Sequence, residues 1–301
     1  MTFSIVARDE QTGQLGVAVQ THWFAVGAIC PWIEAGVGAV ATQSMVEISY
    51  GPQSLDLLRD GKSPQEALDL LLAKDKDQGV RQVAIVDNSG RIAVHTGDRC
   101  IQYAGHIKGE AFSVQANMMK NNSVWPAMEK EFLAAKGDLA SRMLAALFAA
   151  QEAGGDIRGK QSAAMLVADG GKTDEPWRHV LVDLRVDDHP EPLRELDRLL
   201  KINKAFDLMN EGDALLAKGS NEAAKDKYSQ AAVMAPEIEE MPFWQAVTLA
   251  DTGHINEALP IFESVFRKNK DWVELVKRLP ASGLLNADNE MMKRILEAFK
   301  G

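Results

Sequence analysis

The sequence predicts an α+β protein in which two packed sheets with outer helices precede an all-α region. Short apolar strands and pairs of helices alternate over residues 1–190. That order is typical of two packed sheets flanked by helical layers. Residues 191–301 carry only helical patterns and contain a repeat with a period of 34 residues. We therefore predict two domains, with boundaries 1–190 and 191–301.

The chain opens with a predicted β-hairpin. Residues 2–8 alternate apolar side chains, residues 9–13 form a turn that ends in a glycine, and residues 15–20 form a second apolar run. Two such runs around a glycine-containing turn are typical of a hairpin. Thr2 therefore begins a strand, so its side chain is attached to a rigid element.

The other elements of the first domain follow from cap, turn and strand patterns. Ser63, followed by Pro64 and by Glu66 three residues on, is a helix-start signature. The turn at residues 87–90 between two apolar runs predicts a second hairpin. The further predicted strands are 36–44, 82–86, 91–95, 112–117, 163–168 and 179–184, and the predicted helices are 52–59, 63–73, 124–135 and 139–153.

The second domain is predicted to be a helical-repeat region. Two prolines within residues 187–192 mark the boundary. Beyond it, small and aromatic residues recur 34 positions apart, in the pairs Gly212/Ala246, Gly219/Gly253, Ala224/Ala258 and Tyr228/Phe262. This is the period of tetratricopeptide repeats, so we predict two such repeats over 203–270 and a capping segment over 271–301. An independent array needs about three repeats. We therefore expect this region to pack on the first domain or another subunit, to form a homo-oligomer and to bind a protein partner.

Thr2 is the candidate nucleophile. Removal of Met1 would leave a hydroxyl and a free α-amine on one residue. An α-amine has a pKa of about 8, so part of it is a neutral base near pH 7. An N-terminal amine is one known activator of a threonine hydroxyl. The alternative is an ordinary strand residue, which Thr2 remains if Met1 is kept.

Five ordered segments carry a family resemblance: TFSIVARDEQTGQLGVAVQT (2–21), PWIEAGVGAVATQS (31–44), RQVAIVDNSGRIAVHTG (81–97), SVQANMM (113–119) and GGDIRGKQSAAMLV (154–167). In these segments the chain resembles the bacterial and archaeal family called domain of unknown function 1028, over about residues 1–190. The resemblance implies a four-layer αββα sandwich similar to that of N-terminal-nucleophile hydrolases. It implies a hydrolytic chemistry and names no substrate.

The glycine-rich segment 154–163 is the second candidate site element. Arg158 could bind a substrate carboxylate through its planar guanidinium. Asp156 could orient Arg158 or bind an amine, and Gln161 and Ser162 could supply hydrogen bonds. In the alternative interpretation, the Asp156–Arg158 pair only closes a helix-to-strand connection.

Amide side chains on the predicted strands form a third group. Gln115 and Asn117 share one face of a strand, and Asn117 is a candidate oxyanion donor. Both could equally be buried amides bound to backbone. Gln43 and Ser44 end a glycine-rich strand and could line the same cleft. His95 also ends a strand and could be an acid, a base or a substrate contact, although a structural role fits it too.

Composition excludes several classes of function. The net charge is −10 and no basic cluster is visible, which argues against nucleic-acid binding. The apolar runs are shorter than the ~20 residues of a membrane span, and no secretory signal is visible, so we expect a cytoplasmic protein. Cys30 and Cys100 are expected to be buried free thiols. The histidines show no ligand spacing, so we expect neither a metal nor another cofactor.

These observations predict a hydrolase that cleaves the C–N bond of a small-molecule amide. Thr2 attacks, its own α-amine acts as base through a water, and Asn117 or a backbone N–H stabilises the oxyanion. The alternative is a non-catalytic ligand-binding or scaffold domain whose helical repeats bind a protein partner.

Overall fold

A computed structural model describes residues 2–298 of the chain. The chain divides into two compact units between Leu199 and Leu200. The expected removal of Met1, and the last three residues of the capping segment predicted over 271–301, lie outside the described residues.

The first unit contains two antiparallel sheets. Its strands are β1 (Thr2–Arg8), β2 (Leu15–Thr21), β3 (Pro31–Glu34), β4 (Gly38–Ser44), β5 (Arg81–Asp87), β6 (Ile92–Thr96), β7 (Gly105–Lys108), β8 (Phe112–Ala116), β9 (Ser162–Ala168) and β10 (Val180–Val186). A six-stranded sheet has the order β10-β9-β2-β1-β8-β7, and a four-stranded sheet has the order β3-β4-β5-β6. β1 therefore lies in the interior of the larger sheet, between β2 and β8.

The main core lies between the two sheets. Val6, Val17 and Val19 of the larger sheet pack with Ala41 and Val86 of the smaller sheet. Side chains alternate along a strand, so the inward face of β1 also carries Thr2 and Ser4. Phe3, Ile5 and Ala7 point to the opposite face, as the sequence predicts.

Helices cover the outer face of each sheet. They are α1 (Tyr50–Arg59), α2 (Pro64–Leu72), α3 (Val124–Ala134) and α4 (Leu139–Glu152). Leu58 of α1 and Leu68 of α2 pack with Ile85 on the smaller sheet. On the larger sheet, α4 approaches β2 so closely that a Cβ at Gly16 would lie 2.5 Å from Met143 Cε. The α+β prediction is confirmed.

The helix-cap and turn residues that the sequence predicts lie at the ends of these helices and strands. Ser63 Oγ accepts a hydrogen bond from Glu66 N, and Ser63 N donates to the Glu66 carboxylate, which completes the predicted capping box. Both predicted hairpins are confirmed, with Gly13 at φ 77° in the first turn and Gly90 at φ 81° in the second.

The sequence patterns missed two strands. β3 and β7 have four residues each, which is too short for a visible alternation. The strand predicted over 36–44 begins at Gly38, because Gly36 adopts φ 71° in the turn between β3 and β4. The last strand begins at Val180, after a 3-10 turn over Pro176–His179.

The second unit is helical within the described residues, which confirms the all-α prediction. Its helices are α5 (Pro192–Leu216), which includes the division between the units, α6 (Asn221–Met234), α7 (Glu240–Asp251), α8 (Ile255–Lys268), α9 (Asp271–Val276) and α10 (Asn289–Glu297). The Tyr228 ring lies against Gly212, where a Cβ would come within 3.0 Å of it. At the equivalent positions of the predicted second repeat, Ala246 and Phe262 share a core. No described helix is long and apolar enough to cross a membrane.

Candidate active site

Thr2 lies at a cavity. It is the first residue of β1 and is 5% exposed, and its Oγ1 donates a hydrogen bond of 3.1 Å to Thr21 Oγ1. The cavity has a volume of about 340 Å³ and is lined by Thr2, Thr21, Trp23, Val26, Ile29, Cys30, Ser44, Met45, Val46, Ile48 and Arg158. The sheet thus brings the candidate nucleophile to a space that a small ligand could fill.

The cavity wall includes a backbone conformation that is unfavourable for its residue. Ser44, at the end of β4, adopts φ 72°, a left-handed conformation that costs a non-glycine residue on the order of 1 kcal/mol. The chain turns there toward Met45, Val46 and Ile48, which complete the apolar side of the wall. Strained residues of this kind cluster at binding sites.

A buried amide network holds the carbonyl oxygen of Thr2. Asn117 N donates to this oxygen at 3.0 Å, and Asn117 Nδ2 and Gln43 Nε2 each approach it at 3.4 Å. Gln82 Oε1 accepts from both amides, at 2.7 Å from Gln43 Nε2 and 2.8 Å from Asn117 Nδ2. The three amide side chains are completely buried. They hold the backbone of Thr2 in place without lining the cavity.

Gln82 joins the two sheets at this point. Its Nε2 donates to Thr96 Oγ1 at 2.8 Å, to Ala116 O at 3.0 Å and to Gly105 O at 3.2 Å. Gln82 and Thr96 belong to the smaller sheet, whereas Ala116 and Gly105 belong to the larger one. The network therefore resists any sliding of one sheet over the other near Thr2.

Gln115 and Gln43 belong to the interior of the network. Ser4 Oγ donates to Gln43 Oε1 at 2.7 Å, and Gln115 Nε2 donates to Ser4 Oγ at 2.6 Å. Ser113 Oγ donates to Gln115 Oε1 at 3.0 Å. Within the described residues, Asn117 Oδ1 is buried without a hydrogen-bond partner. Neither Gln115, Gln43 nor Asn117 lines the cavity.

Asp156 and Arg158 form an ion pair beside the cavity. Asp156 Oδ1 accepts from Arg158 N at 2.9 Å and from Arg158 Nε at 3.1 Å. Asp156 Oδ2 accepts from Arg158 Nη2 at 2.8 Å and from His22 N at 3.1 Å. The Asp156 side chain is completely buried, while that of Arg158 is 27% exposed and lines the cavity. Asp156 therefore fixes the orientation of the Arg158 guanidinium at the cavity wall.

The remaining predicted site residues are not among those that line the cavity. Ser162 Oγ donates to Trp23 O and accepts from Val26 N at 3.2 Å, so it holds the segment that carries part of the cavity wall. Gln161 Nε2 donates to Asp188 Oδ1 at 3.2 Å, and His95 Nε2 donates to Gln78 O at 2.9 Å. Gln161 and His95 are not among the residues that line the cavity.

Sequence reasoning missed Thr21 and Gln82. Thr21 lies directly opposite Thr2 in the β1–β2 register, so the predicted hairpin could have indicated it. Gln82 has no such signal, because it is a polar residue at the start of an apolar strand.

The cavity also contains a cysteine. Burial raises the pKa of the Cys30 thiol to about 12, so this thiol is protonated near pH 7 and is a poor nucleophile. The expectation of two buried thiols is wrong for Cys100, which is half-buried because it follows the end of β6 in a surface turn. Within residues 2–298, no group of His, Cys, Asp or Glu side chains is arranged to hold a metal.

The fold and the cavity define an α+β protein with antiparallel sheets and a candidate site at the start of its first strand. The chain belongs to the family described as Family of unknown function (DUF1028), whose model matches residues 2–196. It is similar to the crystal structure of a protein from Silicibacter pomeroyi of the same family, with 33% identity and a TM-score of 0.60. That match covers 66% of this chain and 88% of the other. No curated protein matches the chain.

Proposed function

We propose that the first domain is a four-layer αββα hydrolase of the N-terminal-nucleophile type, which cleaves the C–N bond of a small-molecule amide. The observation that carries this proposal is the position of Thr2. Its side chain lines a cavity of about 340 Å³, while buried amides hold its carbonyl oxygen. A nucleophile needs such a rigid support. The outer helices on both sheets also support the sandwich assignment.

The proposed reaction needs only groups that Thr2 itself would carry after loss of Met1. The neutral α-amine takes the hydroxyl proton through a water, and Oγ1 forms a bond with the carbonyl carbon of the substrate. The C–N bond then breaks, and the leaving amine takes the proton. Water hydrolyses the acyl-threonine ester and regenerates the free hydroxyl.

The oxyanion of this reaction needs a donor about 3 Å away. Of the two donors that the sequence offers, we favour a backbone N–H of the cavity wall. Asn117 Nδ2 lies 2.8 Å from Gln82 Oε1 and 3.4 Å from Thr2 O, and its side chain is completely buried. We therefore assign Asn117 to the positioning of Thr2.

A second candidate function is a non-catalytic ligand-binding domain with a helical adaptor, in a homo-oligomer. Val233 of the second unit is 82% exposed and Met234 is 41% exposed, which suits contact with a protein partner. In this case Thr2 never becomes the N-terminal residue, and the cavity binds a ligand without cleaving it. The spacing of Gly212, Ala246, Tyr228 and Phe262 supports tetratricopeptide-like repeats in the adaptor.

Two measurements test the hydrolase proposal. Intact-mass analysis of the purified protein should show a chain that begins at Thr2. A screen of amides and lactams should then give turnover for the wild type and none for Thr2→Val. Retention of Met1 on essentially all molecules would overturn the mechanism. So would turnover by Thr2→Val close to that of the wild type.

A further inference from the structure

We propose that this site selects small amides that carry one carboxylate group and one bulky apolar group, such as N-acylated apolar amino acids. This inference rests on the proposed function, because it names the substrate class of the Thr2 site. Three properties of the cavity carry it: its charge, its apolar wall and its size.

Arg158 supplies the charged side chain of the cavity. It is the only charged side chain among the described residues that line the cavity. Asp156 pairs with Arg158 and offsets part of this charge, but its carboxylate is completely buried, so the guanidinium is the charged group that the cavity presents to a ligand. Arginine binds carboxylates with favourable geometry. The positive charge of Arg158 would repel a ligand that carries a cationic group.

The apolar wall faces solvent. Trp23 is 59% exposed, Met45 is 57% exposed and Ile48 is 46% exposed, and all three line the same cavity. Large apolar side chains that cluster at one exposed place mark a binding surface. A bulky apolar group of the ligand would cover these side chains and displace water from them.

The size of the cavity limits the ligand to a small molecule. A volume of about 340 Å³ lies at the lower end of the roughly 300–1,000 Å³ that is usual for ligand sites. Thr2, Arg158 and the apolar side chains share this one space. The amide carbon at Thr2 Oγ1 must therefore lie within a few bonds of both the carboxylate and the apolar group.

The test uses full-length Thr2→Val, which binds ligands without cleaving them, and three calorimetry probes with one apolar group. The probes are 4-phenylbutyrate, 4-phenylbutanamide and 4-phenylbutylamine. We expect 4-phenylbutyrate to bind at least about tenfold tighter than the amide, and the amine to bind least. Butyrate, which lacks the ring, should bind at least about tenfold more weakly than 4-phenylbutyrate.

A matched pair of arginine variants assigns the charge preference. In the Thr2→Val background, Arg158→Gln should reduce the preference for 4-phenylbutyrate over the amide to about twofold or less, and Arg158→Lys should keep an intermediate preference. Arg178→Gln is the control, because Arg178 is an exposed arginine paired with Glu175 outside the cavity. It should leave the preference unchanged.

A variant that keeps Arg158 tests the charge preference even if the Arg158→Gln protein does not fold. Ile48→Asp places a carboxylate on the cavity wall and should weaken 4-phenylbutyrate by at least about tenfold while it strengthens 4-phenylbutylamine. Equal affinity for the three probes, or a preference for the anion that survives Arg158→Gln in a folded protein, would overturn the inference. If the protein prefers 4-phenylbutyrate but the wild type cleaves no amide, the proposed ligand class is supported and the proposed hydrolysis is contradicted.

Discussion

The hydroxyl of Thr2 donates a hydrogen bond of 3.1 Å to the hydroxyl of Thr21, the residue directly opposite it in the β1–β2 pair. Thr21 therefore helps to fix the side chain of the candidate nucleophile. In the proposed reaction, Thr2 Oγ1 must give its proton to the α-amine. A second hydroxyl beside it can then reverse its hydrogen bond and donate to Thr2 Oγ1.

This contact distinguishes the nucleophile from its support. Thr21→Val removes the hydrogen bond with Thr2 Oγ1, worth about 1 kcal/mol, so hydrolysis should fall by about fivefold. Thr2→Val removes the attacking atom, so hydrolysis should fall by at least about 10³-fold. Thr2→Ser keeps a hydroxyl and should retain activity. The measurement is kcat on an amide from the screen, with a circular dichroism melt for each variant. Equal losses in Thr2→Val and Thr21→Val would show that both threonines only shape the cavity.

Gln82 should be important for stability. Gln82→Leu has a similar shape but removes the partner of the amides of Gln43 and Asn117 inside the protein. Buried donors without partners cost about 1–3 kcal/mol each, so we expect a loss of at least about 2 kcal/mol in the free energy of unfolding. Denaturant titration measures it. Gln161→Leu is the control, since its side-chain amide makes one hydrogen bond within residues 2–298, to Asp188, and the variant should lose about 1 kcal/mol or less. Similar losses for the two variants would refute the central role of Gln82.

His106 should make the stability of the first unit sensitive to pH. Thr96 Oγ1 accepts from Gln82 Nε2 at 2.8 Å and makes a second hydrogen bond of 2.8 Å with His106 Nδ1, which connects the ring to the amide network. Partial desolvation of the ring and then the charge of His95 lower the pKa of His106 below its ordinary value of 6.5. As the pH falls from 6.5 towards the lowered pKa of the folded state, the folded state binds fewer protons than the unfolded state. Stability therefore falls as the pH drops below about 6.5.

The measurement is the unfolding free energy between pH 8 and pH 5, for the wild type and His106→Gln. The ring is partly exposed, so we expect a shallow slope in the wild type and a flatter one in the variant. A slope of equal size in both proteins would show that other groups cause it.

The first unit should fold without the second. A chain that ends at Leu199 keeps Pro192, Leu193 and Leu196, the buried residues in the first turns of α5. A domain of this size buries about 70% of the surface of its unfolded chain. We expect cooperative melting by circular dichroism, with a changed assembly state by light scattering. An unfolded product would show that the helical region completes the core of the first unit.

Local sequence patterns were sufficient to predict the elements that depend on residues close together in the chain. The hairpin at Gly13 and the capping box at Ser63 depend on residues that lie close together in the sequence. Thr2 and Arg158 were likewise visible, one by its place at the start of a strand and the other by its glycine-rich segment. The sequence shows residue types and spacing, and these are enough to indicate such positions.

The role of Gln82 depends on contacts that the sequence does not show. Its amide can connect the two sheets only because β5 brings it beside Asn117, which lies 35 positions away in the chain. The same packing placed His95 at Gln78, and not beside Thr2. Pairing of distant strands is decided by the whole core, so a pattern within one strand cannot give it.

The burial of Thr2 sets an order of events during synthesis. In the folded protein Thr2 is 5% exposed and its oxygen is bound by Asn117, 115 positions along the chain. An aminopeptidase needs a loose, extended chain end. Under the proposed mechanism, Thr2 is most accessible to the aminopeptidase in the growing polypeptide, before Asn117 has been synthesised and β8 has paired with β1.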